Sequence, residues 1–127
     1  METRVSKAVE LKGCCNCAQA VACTYCDVVG VDKDFMAAAT SAFGSGMGSM
    51  DGTCGAIVGA GVVLGLKIRD KNIARSAMKR VIEAFKMRNG ATSCRQLKGV
   101  GSGLVLRSCN DCVADAAEFL EQELNKL

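Results

Sequence analysis

Apolar residues recur at helical spacing along most of the chain, and the pattern predicts six helices. The first runs from about Thr3 to Lys12 with Val5, Ala8 and Val9 on one face, and stops at Gly13. The second starts at the N-cap Asn16 and continues to about Val28, ahead of Gly30. The third begins at Asp32 and carries Phe35, Met36, Ala39, Ala42 and Phe43 on its expected buried side, with Gly44 as its stop. The fourth follows the glycine-rich stretch 44–52, with Asp51 or Thr53 as its expected cap, and is apolar nearly all round. The fifth, about Lys71 to Asn89, sets Ile73, Ala77, Met78, Val81, Ile82 and Phe85 against a face of Arg75, Lys79, Arg80, Glu83 and Lys86. After a short turn capped by Ser93 comes the sixth, about Ser108 to Lys126, with Val113, Ala116, Ala117, Leu120, Leu124 and Leu127 as its stripe. Leu104-Val105-Leu106 is the one short strand candidate.

The expected fold is therefore all-α. It is a compact bundle of about five to six helices around a buried central helix starting at Cys54, with residues 1–127 forming one domain. Composition agrees. Half of the residues are apolar but only 4% are aromatic, so the core must be built from small and aliphatic side chains. The longest apolar run, Cys54 to Leu66, is shorter than the ~20 residues of a membrane span. Basic residues outnumber acids from Lys67 to Lys98, yet the net charge is only +3. With few aromatics to stack on bases, a solvated basic face is a better reading than a nucleic-acid surface.

Nine cysteines and no histidine change the picture. The chain begins Met1-Glu2-Thr3-Arg4-Val5 without an apolar signal region, and an odd cysteine count leaves one thiol over in any disulfide scaffold. Reduced thiols and a cytoplasmic location are the expectation, and there such clusters serve metals or catalysis. Cysteine–histidine protease chemistry is excluded. Cys14/Cys17, Cys23/Cys26 and Cys109/Cys112 have Cys-x-x-Cys spacing. Cys23 and Cys26 fall inside an expected helix and read as packing residues, while Cys14 and Cys15 lie in a loop.

Four others stand at helix starts: Cys17 after Asn16, Cys54 after the glycine loop, Cys94 after Ser93, and Cys109 after Ser108. Unpaired N–H groups and the positive end of the helix dipole favour thiolate there. Four thiolates at one spot need a cation, so Cys17, Cys54, Cys94 and Cys109 are candidate ligands of an iron–sulfur cluster or a single iron or zinc ion. Gly52 and Gly55 would let backbone approach the group, and Arg95 and Arg107 would offset its charge. A thiol–disulfide protein using Cys54 with a resolving cysteine is the alternative, as is a structural zinc site. No carboxylate pair suggests acid–base catalysis. Gly44-Ser45-Gly46-Met47-Gly48 lacks the Lys-Ser/Thr end of a phosphate loop.

The elements Asn16-Cys17-Ala18-Gln19-Ala20, Cys54-Gly55-Ala56-Ile57-Val58-Gly59, Cys94-Arg95-Gln96-Leu97, and Cys109 ahead of Ala114-Asp115-Ala116-Ala117 occur in that order. In them the chain resembles the redox-active family labelled C_GCAxxG_C_C, from about Cys17 to Leu124. The resemblance implies a small all-helical cytosolic protein of bacteria or archaea with a redox role and a redox partner protein, and names no substrate. Carried over by position, the four family cysteines are Cys17, Cys54, Cys94 and Cys109, with Cys112 close enough to Cys109 to be the fourth instead. No nucleic acid and no membrane are expected as partners, and a homodimer is compatible with the chain.

Overall fold

The computed structural model describes residues 3–127; the polar start Met1-Glu2 lies outside them. The elements in chain order are α1 (Arg4–Leu11), α2 (Cys17–Thr24), α3 (Cys26–Val29), α4 (Lys33–Thr40), a 3₁₀ turn (Ser41–Phe43), α5 (Gly44–Met47), α6 (Gly55–Ile68), α7 (Lys71–Asn89), α8 (Cys94–Lys98) and α9 (Cys109–Leu124). The all-α expectation holds. Among the described residues the only β pairing outside a helix is an isolated bridge between Thr53 and Ser93. Leu104, Val105 and Leu106 form no strand and stand 65%, 62% and 41% exposed. None of the helices among the described residues is long and apolar enough to cross a membrane.

Side-chain caps start most of these helices. Thr3 and Asn16 each close a reciprocal capping box with the residue three positions on. Asp32, Asp70, Ser93 and Ser108 each accept an amide of the first turn. The expected second helix is broken at Tyr25, whose backbone (φ −111°, ψ 16°) ends α2 and begins α3. Tyr25 is fully buried, and its hydroxyl donates to the Ala117 carbonyl on α9. That tertiary anchor was not visible in the periodicity. The third helix is shorter than expected and rotated from the expected face. Met36 and Thr40 are buried, while Phe35 is 64% exposed and Ala39 and Ala42 lie at the surface.

α6 packs against α2, α7 and α9, and α1 against α2 and α9. The α2–α6 contact is close because both sides are small. A Cβ on Gly59 would stand 2.5 Å from the Ala18 carbonyl oxygen. A Cβ on Gly55 would stand 2.6 Å from the Phe43 carbonyl oxygen and 3.3 Å from the Cys17 Cβ. The small-residue spacing of α6 thus serves contacts inside the molecule. The core they enclose includes Val21, Met36, Ile57, Val63, Leu64, Val81, Phe85, Val113 and Leu120. Burial at this scale, ~25 cal/mol per Å² of apolar surface, is the main force holding short helices that would not persist alone.

Candidate functional site

Four helix starts, those of α2, α6, α8 and α9, converge. Cys17, Cys54, Cys94 and Cys109 line one pocket together with Cys112, and Ser45, Gly55, Leu97, Lys98 and Arg107 complete its wall. The cavity between them is only about 10 Å³, roughly the room of one water. All nine thiols are free, and of the five around this pocket Cys109 is the least buried. α5 forms part of the rim. Ser45, Gly46, Met47 and Gly48 all have positive φ, and Gly46 must be glycine because a Cβ there would stand 2.5 Å from the Cys94 Cβ. Left-handed backbone at Ser45 and Met47 is strained, and it presses this turn onto α8.

The five sulfurs are not equivalent. In α2, α8 and α9 the cap position belongs to Asn16, Ser93 and Ser108, whose oxygens take the first-turn amides of Gln19, Gln96 and Asp111. The cysteine stands one residue later, where it has no amide to itself. In α6 the cap residue is Cys54, not Asp51 or Thr53. The amides of Ala56 and Ile57, second and third in the helix, therefore act on its sulfur. The Cys112 thiol acts most strongly on Cys54, and with those two amides and Lys98 it outweighs burial and lowers the Cys54 pKa to about 7. Cys112 is raised, by Cys54 first and by burial. Burial pushes the Cys17 thiol up to about 11, with Cys54 and Cys109 adding to the effect, and it raises Cys94 as well. The expectation that every helix-start cysteine favours thiolate is thus corrected: Cys54 is lowered, chiefly through Cys112, whereas burial raises Cys17 and Cys94.

The other sequence-derived candidates divide. Gly55 lines the pocket, but Gly52 does not. The Gly52 carbonyl instead accepts the Cys94 N–H at 3.0 Å, holding the loop against α8. Arg95 points away and pairs with the exposed Asp51 at 2.7 Å. On a helix the residue after Cys94 lies a quarter-turn round, whereas Lys98, four on, shares its face. Lys98 is the cation that the sequence reading missed. Burial works against its ammonium, but Cys109, Cys94 and Cys17 outweigh it and raise its pKa. Arg107 does line the pocket, tied at 3.0 and 3.2 Å to the buried Asp115, which also accepts from Arg88 and Asn89.

For a metal or cluster, the donor chemistry suits: soft thiols with nearby cations. The arrangement does not. Among the described residues no set of three or more Cys, Asp or Glu side chains is placed to hold an ion together. A cluster is also larger than the space between the five sulfurs.

Fold and pocket define a small all-helical protein built around converging thiols. Residues 15–123 match the family described as "Putative redox-active protein (C_GCAxxG_C_C)", and the chain belongs to that family. A search of curated proteins and a search of solved structures each returned no match.

Proposed function

We propose that the protein is a thiol–disulfide redox protein whose working pair is Cys54 and Cys112. The observation that carries this reading is that Cys54 and Cys112 line one closed pocket, where the Cys112 thiol, with two amides at the start of α6, holds Cys54 close to thiolate. Two thiols give up two electrons and two protons and form one S–S bond. A disulfide of a partner protein takes up both and becomes two thiols. Cys109, the least buried of the five, is where such a partner meets the pocket, and Lys98 beside it steadies the thiolate formed during exchange. Nine reduced thiols suit the cytoplasm. Peptide mapping after mild oxidation of anaerobically purified protein tests this. The expected product links Cys54 to Cys112 with the loss of one thiol pair and no release of metal. Linkage elsewhere, with Cys54 left free, would overturn it.

A second reading is supported by the number of sulfurs, since exchange needs two or three and five are gathered here. Cys17, Cys54, Cys94 and Cys109 would then hold an iron–sulfur cluster or one iron or zinc ion after the pocket opens, for electron transfer or, with zinc, to brace the helices. Gly55 would allow the approach and Lys98 and Arg107 would offset charge. Metal analysis with an absorption spectrum, on protein kept free of oxygen, separates the readings. Stoichiometric metal lost in Cys17→Ser or Cys94→Ser selects this one.

A further inference from the structure

Cys23 and Cys26 belong to neither reading, and the structure gives them a different setting from the one expected. They do not share one continuous helix. Cys23 lies one residue before the end of α2, Cys26 opens α3, and the break at Tyr25 falls between them. The Cys-x-x-Cys spacing sets the two thiols three positions apart across that break. Both line an open cavity of about 480 Å³, with Thr3, Arg4, Lys7, Leu11, Thr24, Asp27 and Lys33 forming the rest of its wall. The cavity is lined separately from the Cys54 pocket, with no residue in common.

Its charges favour a soft cation held by sulfur over a hard one held by oxygen. Asp27, the carboxylate on the wall, is engaged in a two-pronged pair with Arg4 at 2.7 and 2.9 Å. Lys33 lines the same cavity and sets a positive charge on the wall that the two thiols share. No third Cys, Asp or Glu among the described residues joins the pair in a metal-holding arrangement. Zinc and iron require four ligands or nearly so, whereas a monovalent soft ion is satisfied by two thiolates in line.

We infer that Cys23 and Cys26 form a two-coordinate site for a thiophilic monovalent ion, copper(I), with Lys33 offsetting the charge of the complex. Copper stays in the +1 state throughout. The two thiols release their protons to water, and the bis-thiolate complex carries one negative charge. The open cavity gives a donor or acceptor of the ion direct access to Cys26, the less buried sulfur.

The test titrates the full-length reduced protein, without oxygen, against copper(I) held by a chromophoric chelator. Wild type and Cys54→Ser/Cys112→Ser should both withdraw one equivalent that Cys23→Ser/Cys26→Ser does not. Lys33→Met should weaken uptake by about three- to tenfold, the effect of one nearby charge, while Lys86→Met on the far face of α7 should not. In the wild-type chain one equivalent of copper(I) should also protect Cys23 and Cys26 from alkylation, a readout that does not depend on any variant folding. Undiminished uptake by Cys23→Ser/Cys26→Ser, or protection confined to the Cys54 pocket, would overturn the site. Neither result bears on disulfide formation between Cys54 and Cys112, so the two proposals fail separately.

Discussion

Two groups of cysteines in this chain make a controlled comparison. Around the closed pocket, Cys54 caps a 14-residue helix and its pKa is lowered. On the open cavity, Cys23 sits near the C-terminal end of α2, and burial pushes it up to about 11. Both sulfurs are buried, and each has a cysteine partner and a lysine nearby. The difference is what faces each sulfur: the Cys112 thiol first, and then the amides of Ala56 and Ile57 at a helix start, outweigh burial at Cys54, whereas at Cys23 burial dominates and Cys26 adds to it. Amides at a helix start stabilise a sulfur anion, and at the last turn the exposed groups are carbonyls, which do not. Cys17 sharpens the point. It stands at a helix start, yet Asn16 takes the amide, and the thiol is raised as far as that of Cys23. Proximity to a helix N-terminus is therefore not enough: at Cys17 burial and the neighbouring thiols prevail.

The largest expected effect breaks the comparison at Cys54. Alkylation rates mapped by peptide should show Cys54 reacting at lower pH than Cys17 or Cys23, and far more than ~tenfold faster at neutral pH, since its pKa is lowered to about 7 and theirs are raised to about 11. Replacing Cys112 with Ala removes the donor and should move the Cys54 midpoint up toward the ordinary thiol range. Cys112→Ser keeps a donor and should restore much of the shift. A Cys54 midpoint that ignores residue 112 would remove the basis for treating the two as one unit.

Next come the contacts that hold the pocket wall. Asp115→Asn leaves Arg88 and Arg107 without their shared buried carboxylate and should cost about 2–3 kcal/mol in chemical denaturation. The carboxyl pKa of Asp115 is lowered in the fold: burial opposes this, and Arg107, Arg88 and Asn89 outweigh it. Its stabilisation is therefore complete above the ordinary carboxylate value of ~4 and is lost as pH falls through the lower folded value. Acid titration of the wild type followed by circular dichroism should show that loss, and Asp115→Asn should flatten it.

Gly55→Ala should cost about 1–3 kcal/mol by overpacking, since the added carbon meets backbone of the Phe43–Gly44 turn, which cannot swing aside. Gly65→Ala lies on the same helix with nothing within 4 Å, and should be neutral or stabilising by up to ~1 kcal/mol. Equal melting behaviour of the two variants would mean that α6 is not packed against the Phe43–Gly44 turn as closely as described.

The smallest expected effect is at a cap. Asn16→Ala should cost ~1 kcal/mol, because Asn16 closes a capping box and also donates to the Ser41 carbonyl. The thiol of Cys17, freed of its competitor for the Gln19 amide, should become more acidic. That second readout returns to the comparison of sulfurs.

Helix content, most boundaries and the four cysteines of the family pattern were legible in the chain, because capping residues, glycines and 3.6-residue periodicity act over a few neighbours. The amphipathic pattern placed α7 at Lys71–Asn89, and Ser93 was recognisable as a cap. Local pattern failed where a distant contact decides. The break at Tyr25 depends on burial of that ring and its hydroxyl's bond to α9. The rotation of α4 depends on which face meets α2. Which cation joins the sulfurs depends on α8 turning Lys98 inward and leaving Arg95 to Asp51.

The amino-acid order alone thus determined the helices and the kinds of group available, because hydrogen bonding within a turn is a short-range property. Tertiary structure alone decided that sulfurs up to 95 positions apart in the chain, Cys17 and Cys112, line one pocket while Cys23 and Cys26 face another. It also decided which sulfur is most acidic. Electric fields from amides, lysines and neighbouring thiols fall off with distance through space, and distance through space is set by packing.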